Sequence, residues 1–266
     1  METSTLKIAI IGAGNMGGAI ARGLMSGTLI QKSNIRVSDI GEQNLQALKA
    51  LNPEITVSSS NVEIIEGADI IILAVKPWLV EKIADEIRKK INYKQQIIVS
   101  VAAGVDFNAL ANYFDDDAIM FRVIPNTAID VLQSVSTISS YNADPAGEQL
   151  IKNIFEELGK VFIVPESQLN AFMSLSSCGI AYAFRYIRAA MEGGVEMGIP
   201  AQTAKEVVLQ TLRGAIDLIE SKNAHPEVEI DKVTTPGGIT IKGLNEMEAN
   251  GFTNAVIKGL KASQIK

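Results

Sequence analysis

Ile8-Ala9-Ile10-Ile11-Gly12-Ala13-Gly14-Asn15-Met16-Gly17 decides the fold of this chain. Four apolar residues lead into Gly-x-Gly-x-x-Gly, and a helical pattern through Ile20, Leu24 and Met25 follows. Strand, glycine turn and helix in that order are what a dinucleotide-binding turn requires. Gly12 permits the tight turn, Gly14 presents no Cβ to a pyrophosphate, and Gly17 lets the helix lie close to the strand. The helix beginning near Asn15 and Met16 offers free N–H groups and the positive end of its dipole to phosphates. The spacing alone leaves one alternative open, a glycine-rich strand–helix turn that binds nothing.

Working outward, apolar runs and helical patterns alternate up to about residue 165. The strands read as Lys7–Ile11, Ile35–Asp39, Ile70–Val75, Gln96–Val101, Ile119–Val123, Val135–Ser139 and Lys160–Val164. Most are short uninterrupted apolar runs, as expected of parallel strands covered on both faces. Helical stretches fall between them at Gly18–Ser26, Glu42–Leu51, Trp78–Ile91, Phe107–Tyr113 and Ala146–Leu158. The pattern predicts an α/β fold, with a Rossmann-type doubly wound sheet over residues 1–165.

After Pro165 the strand signal ends. Ser167–Gly198 reads as one long helix rich in Ala, Met and Phe, stopped by Gly198-Ile199-Pro200, and a second helix covers Ala201–Lys222. A loop holding His225, Pro226 and Pro236-Gly237-Gly238 precedes two further helices. Residues 166–266 are thus predicted to be an all-helical domain. The middle of its first helix is apolar all round, so it must be covered. A partner subunit would cover it in a homodimer; a compact monomer, with the helix packed on the sheet domain, is the alternative.

Composition sets the outer bounds. The 266 residues, 47% hydrophobic and 20% charged, can build a core in one large or two modest domains. A net charge of −6 and a pI near 5.0, with no basic patch, argue against a nucleic-acid partner. The single cysteine, Cys178, excludes an internal disulfide and fits a reducing compartment. Met1–Lys7 carries no leader pattern, and no apolar run is long enough for a bilayer, so a cytoplasmic protein without membrane contact is expected.

Asp39 closes the second strand, where an acidic side chain usually accepts hydrogen bonds from the adenosine ribose, and its charge favours NAD(H). Ser38 remains as a contact for a 2′-phosphate, so both NAD(H) and NADP(H) stay open. Asp39 reads equally as a solvent-facing cap on the helix that follows. Three strings end successive strands on the edge where open α/β sheets bind ligands: Ala74-Val75-Lys76-Pro77, Ser100-Val101-Ala102-Ala103-Gly104, and Arg122-Val123-Ile124-Pro125-Asn126-Thr127. Singly each is bland, with Lys76 a solvated charge and Pro125 a strand stop. Together they outline a cofactor cleft in which Ala74 and Ala103 leave room for a nicotinamide ribose and Lys76 and Asn126 supply donors.

The stretch Val233-Thr234-Thr235-Pro236-Gly237-Gly238-Ile239-Thr240 introduces a helix. Thr235 is expected as its N-cap and Pro236 in its first turn. The N–H groups of Gly238, Ile239 and Thr240 would then hold an anion such as a carboxylate. An ordinary glycine-rich helix entry reads the same way. His225 is the only histidine, so no Ser/His/Asp triad stands without it, and no cysteine–histidine metal cluster exists. The chemistry must come from a cofactor, with the protein supplying position and electrostatics.

Taken together, the strings Ile11–Ala19, Ala74–Pro77, Arg122–Thr127 and Thr235-Pro236-Gly237-Gly238…Thr240, with His225-Pro226 and Gly243-Leu244, resemble the pyrroline-5-carboxylate reductase family over nearly the whole chain. The resemblance implies a Rossmann domain followed by a helical domain interlocked in a dimer, often five dimers in a decamer. It implies reduction of L-1-pyrroline-5-carboxylate to L-proline by NADPH or NADH. On that reading Gly237, Gly238, Ile239 and Thr240 hold the substrate carboxylate with support from Thr235, and the Thr240 hydroxyl meets the imine nitrogen. The chain departs from the family pattern at Ser176-Ser177-Cys178-Gly179-Ile180-Ala181, where the family carries Ser-Gly-Ser-Gly-Pro-Ala, and this predicts a changed bend there. Rivals are a reductase of another cyclic imine and a non-catalytic nucleotide-binding regulator. A β-hydroxyacid dehydrogenase would need a lysine on the long helix, and none lies between Ser167 and Gly198.

Overall fold

The computed structural model describes residues 5–264, so the first four residues of the Met1–Lys7 stretch and the last two of the helical domain lie outside the described residues. Eight strands form: β1 (Ile8–Ile11), β2 (Ile35–Ser38), β3 (Thr56–Ser58), β4 (Ile70–Leu73), β5 (Ile97–Ser100), β6 (Met120–Ile124), β7 (Ser134–Tyr141) and β8 (Gly159–Ile163). They make one sheet in the order β3-β2-β1-β4-β5-β6-β7-β8. β1 to β6 run parallel; β7 is antiparallel to β6, and β8 runs parallel to β7. The chain from β1 continues to β2 on one side and returns to β4 on the other. The order therefore reverses between β1 and β4, the place where such sheets open a ligand crevice.

The apolar runs form strands because both faces of the sheet are covered. Every residue of β1 and of β4 is buried. On one face α1 (Asn15–Ser26), α2 (Glu42–Leu51) and α6 (Pro145–Glu156) close a core around Ile8, Ile10, Leu24 and Phe155. On the other, α3 (Asn61–Ile65), α4 (Val80–Ile87) and α5 (Phe107–Tyr113) cover Ala9, Ile11, Ile71 and Leu73. Each fully buried Ile or Leu contributes roughly 1.5–3 kcal/mol of apolar burial. Local signals set the helix starts: Ser60 accepts from the Glu63 N–H, Asp106 from Ala109, and Asp144 from Gly147 with Pro145 in the first turn. α4 is shorter than expected at both ends: Pro77–Leu79 forms a separate 3-10 turn that leaves Trp78 exposed, and residues 88–90 are in a turn past its C-terminus.

Two short elements and one direction differ from the sequence reading. β3 has no apolar run, only Thr56-Val57-Ser58 at the sheet edge, and α3 directly follows it. β7 runs against β6. The intervening residues 125–133 hold only a 3-10 turn, Thr127–Val131, shorter than the dozen or so positions a parallel crossover needs.

The chain divides into two compact units, the first ending at Ser177 and the second covering Cys178–Gln264, later than the boundary expected after residue 165. The stretch expected as one helix from Ser167 is built of α7 (Leu169–Met173), a π-helical turn over Ser174–Cys178, and α8 (Gly179–Glu196). The second unit continues with α9 (Ala201–Lys222), α10 (Pro226–Lys232), α11 (Ile239–Ala249) and α12 (Phe252–Ala262); none of its described residues is in a strand. α10 lies where a loop was expected: His225 caps it through Nδ1, which accepts the Glu227 N–H at 3.3 Å. α8 packs on α9 where Gly194 meets Ala204, and the Tyr182 hydroxyl reaches the Gly259 carbonyl on α12 and the hydroxyl of Ser263 just past it. Large apolar side chains of this unit remain uncovered, among them Phe184, Met197, Val207, Ile216 and Ile257. So much exposed apolar surface marks an interaction face.

Candidate functional site: a glycine-turn cleft and a helix start

The three glycines of the turn have different reasons to be glycine. Gly12 has φ +103°, and a Cβ there would stand 2.6 Å from the Ala74 carbonyl oxygen. Its N–H donates to the Ser38 carbonyl at 2.7 Å, which ties the turn to β2. A Cβ on Gly17 would stand 1.9 Å from the Gly12 oxygen, so α1 could not lie against β1. A Cβ on Gly14 would meet no protein atom within 4 Å. The space in front of Gly14 is kept clear, and nothing in the protein fills it. This is the fit a pyrophosphate needs against the free N–H groups at the start of α1.

That space is the end of a cleft of about 730 Å³ within the first unit. Of the residues proposed from sequence, Gly14, Asn15, Met16, Ala74, Val75, Lys76, Pro77 and Ala103 line it. Lys76 is exposed and, among the described residues, no carboxylate pairs with it. Sequence reasoning missed Arg22, Asp130, Met173 and Ser177, which also line the cleft. Arg22 and Asp130 form an ion pair at 2.6 Å. Their link joins α1 to the 3-10 turn after β6, a long-range pairing that no local pattern announces. Ser177, on the π-helical turn, donates its hydroxyl to the Pro125 carbonyl at 2.8 Å.

Three expected cofactor residues take other parts. Ser38 is fully buried and its hydroxyl donates to Asn61 Oδ1 at 2.6 Å, so it presents nothing to a phosphate. Asn126 is buried too; its Oδ1 accepts the Ala128 N–H and caps the 3-10 turn instead of lining the cleft. Gly104 has φ +84° and lies outside the cleft wall, where it serves the turn after β5. Asp39 is half-buried; one carboxylate oxygen accepts the N–H of Ala13 and the other that of Gly41.

In the second unit the helix entry is built one step later than expected. Thr235 accepts the Gly238 N–H at its carbonyl, 2.9 Å, and Gly237 has φ +72°. Pro236 and Gly237 at the two central positions are what a type II turn requires. Gly238, not Thr235, is the N-cap of α11, and a Cβ on it would stand 2.7 Å from Thr235 Oγ1. The Gly238 N–H is consumed in the turn and is no anion donor. The free donors are the first N–H groups of α11, on Ile239, Thr240 and Ile241, with no side chain capping them. Ile239 and Thr240 are both exposed.

Behind the cleft, Glu166 Oε1 accepts both the Arg122 guanidinium at 2.6 Å and the Phe107 N–H at 2.7 Å. Arg122 is nearly buried and lies over the Phe107 ring.

The family comparisons agree with this architecture. Residues 166–266 match the family model described as pyrroline-5-carboxylate reductase dimerisation, which supports a homo-oligomer. Residues 7–104 match the model of coenzyme F420-dependent NADP oxidoreductases. The chain is 35% identical to pyrroline-5-carboxylate reductase 1 of Dictyostelium discoideum over 97% of its own length, and spans about half (49%) of that protein. It is 34% identical to pyrroline-5-carboxylate reductase of Methanosarcina acetivorans, covering 97% of each chain. The crystal structure of the Plasmodium falciparum pyrroline carboxylate reductase with NADP bound superposes with a TM-score of 0.90 at 25% identity, over 98% of this chain and 96% of that one. The chain belongs to the pyrroline-5-carboxylate reductase family.

Proposed function

We infer that this protein reduces L-1-pyrroline-5-carboxylate to L-proline with NAD(P)H, the last step of proline synthesis. The observation that carries the reading is the pairing, in one chain, of a cleared glycine-turn cleft with an uncapped, exposed helix start that offers N–H groups to a carboxylate. The bound nicotinamide supplies a hydride to the imine carbon. The protein's part is to hold and orient. The N–H groups of Asn15, Met16 and Gly17 and the α1 dipole face the pyrophosphate. Ala74, Val75, Pro77 and Ala103 form the cleft wall, and Lys76 adds a positive charge.

At the helix start, Ile239 and Thr240 donate to the substrate carboxylate, with the Thr235–Gly238 turn fixing their direction. The Thr240 hydroxyl hydrogen-bonds the imine nitrogen. A protonated iminium is the better hydride acceptor. A threonine is too weak an acid to protonate it, so the proton arrives with the substrate or from water. Orientation then supplies most of the acceleration. The reading extends to homodimers formed through the 166–266 helices, assembled five to a decamer in the cytoplasm; the uncovered apolar side chains of α8, α9 and α12 support the dimer.

The test follows NADH and NADPH oxidation at 340 nm with racemic pyrroline-5-carboxylate. Stereospecific formation of proline is expected; tight nucleotide binding without turnover would overturn the reading.

A further inference from the structure

We propose that Asp39 selects NADH over NADPH and that it does so from a position locked to the phosphate turn itself. The proposal rests on the reductase reading above and adds a specificity determinant to it. β2 is hydrogen-bonded beside β1 with Ser38 opposite Ile11, so Asp39 and Gly12 leave the sheet side by side. The Asp39 carboxylate is held from both ends, by the N–H of Ala13 inside the glycine turn and by that of Gly41. A carboxylate offers about four lone-pair sites, so two backbone donors leave two for the paired hydroxyls of a ribose.

A 2′-phosphate in place of one hydroxyl would bring about two negative charges to a carboxylate that cannot swing away without releasing the turn. Among the described residues no free cation stands beside it to compensate. Asp39 has no ion-pair partner among the described residues, and residues 39–41, Asp-Ile-Gly, carry no cation. Arg36, the cation of β2, donates to the Ile64 and Glu66 carbonyls. Lys49 donates to the Ile55 carbonyl. Ser38, the hydroxyl next in the chain, is buried against Asn61. Selection here works by an uncompensated like charge rather than by a better contact with the preferred ligand.

Direct binding tests this without reference to turnover. Calorimetric titration of the intact protein with ADP-ribose and with 2′-phospho-ADP-ribose should show at least about tenfold tighter binding of the first. Raising the salt concentration should narrow the ratio of the two affinities, because it screens a repulsion that only the phosphorylated ligand meets, while any loss of pyrophosphate attraction is common to both. Asp39→Asn keeps an oxygen for a backbone donor and removes the charge; it should bring the two affinities within about threefold. Thermal unfolding of the unliganded variant shows whether the turn has held. Equal affinities in the unsubstituted protein, or a preference that salt does not alter, overturn the assignment of Asp39. Failure of both ligands to bind overturns the reductase reading with it.

Discussion

A side-chain carbon on Gly17 would stand 1.9 Å from the Gly12 carbonyl oxygen, whereas one on Gly14, between them in the chain, would touch nothing. The protein needs the first and third glycines of its turn to fold, and the ligand needs the second. Gly17→Ala should destabilise the unliganded protein by about 2 kcal/mol or more, since backbone rather than a flexible side chain must move. Gly14→Val should leave the unfolding free energy within about 1 kcal/mol of the original yet abolish nucleotide binding by filling the pyrophosphate space. Chemical denaturation and calorimetry on the two variants check both halves. Normal NAD(P)H binding by Gly14→Val would remove the cofactor from this cleft.

Arg122 is nearly buried and relies on Glu166 for its charge partner. Glu166→Ala would strand that guanidinium and also orphan the Phe107 N–H. Because Glu166 is partly exposed, the loss should be about 2–3 kcal/mol, below the range for a fully buried pair. Arg122→Met, which removes the charge and keeps the volume, should cost less than Glu166→Ala. A reversed order in urea unfolding would show that the pair is held for another reason.

Thr240→Ala should lower kcat/KM for the imine by about 10- to 100-fold, the range of one lost hydrogen bond to the reacting group. Nucleotide affinity should not change, and Thr240→Ser should restore most of the rate. An unchanged kcat/KM would take Thr240 out of the site.

Glu157, just past α6, accepts the N–H groups of Thr28 and Leu29 and the Thr28 hydroxyl through one oxygen. It closes the turn after α1 from the far end of the sheet domain. Glu157→Ala leaves those donors unmatched and should cost about 1–3 kcal/mol. The expected signature is a lower urea midpoint with the same slope, since the native surface hardly changes.

The strands around the cleft were legible because their residues are buried on both sides; Ile70–Leu73 can scarcely be anything else. Thr56-Val57-Ser58 was not, since an edge strand of three residues needs no apolar run. The direction of β7 is not written in its own residues, but the short link at 125–133 contained it. α10 was written plainly in His225-Pro226-Glu227 and Lys232, a cap, an N1 proline and charges suited to the helix dipole; the two prolines flanking the region masked it. At the site, backbone roles were legible and side-chain destinations were not. The glycine positions of the turn follow from chain geometry, whereas the burial of Ser38 against Asn61 and the pairing of Arg22 with Asp130 join residues distant in sequence. The helix entry at Gly238 differed by one turn because Thr235 spends its carbonyl on a reverse turn before the helix begins.

The reversal of β7 and β8 has a mechanical consequence. β8 delivers the chain away from the ligand edge, and the segment after it must travel back along the sheet. It is pinned twice on the way, by Glu166 at Arg122 within β6 and by Ser177 at Pro125, the residue just past the end of β6. The run from Arg122 to Pro125 therefore acts as a splint with two fixed holes, and the piece between Glu166 and Ser177 must have one length. Substitutions within it are absorbed locally, but a single inserted or deleted residue would leave one pin without its hole, and Ser177 would no longer stand in the cleft wall.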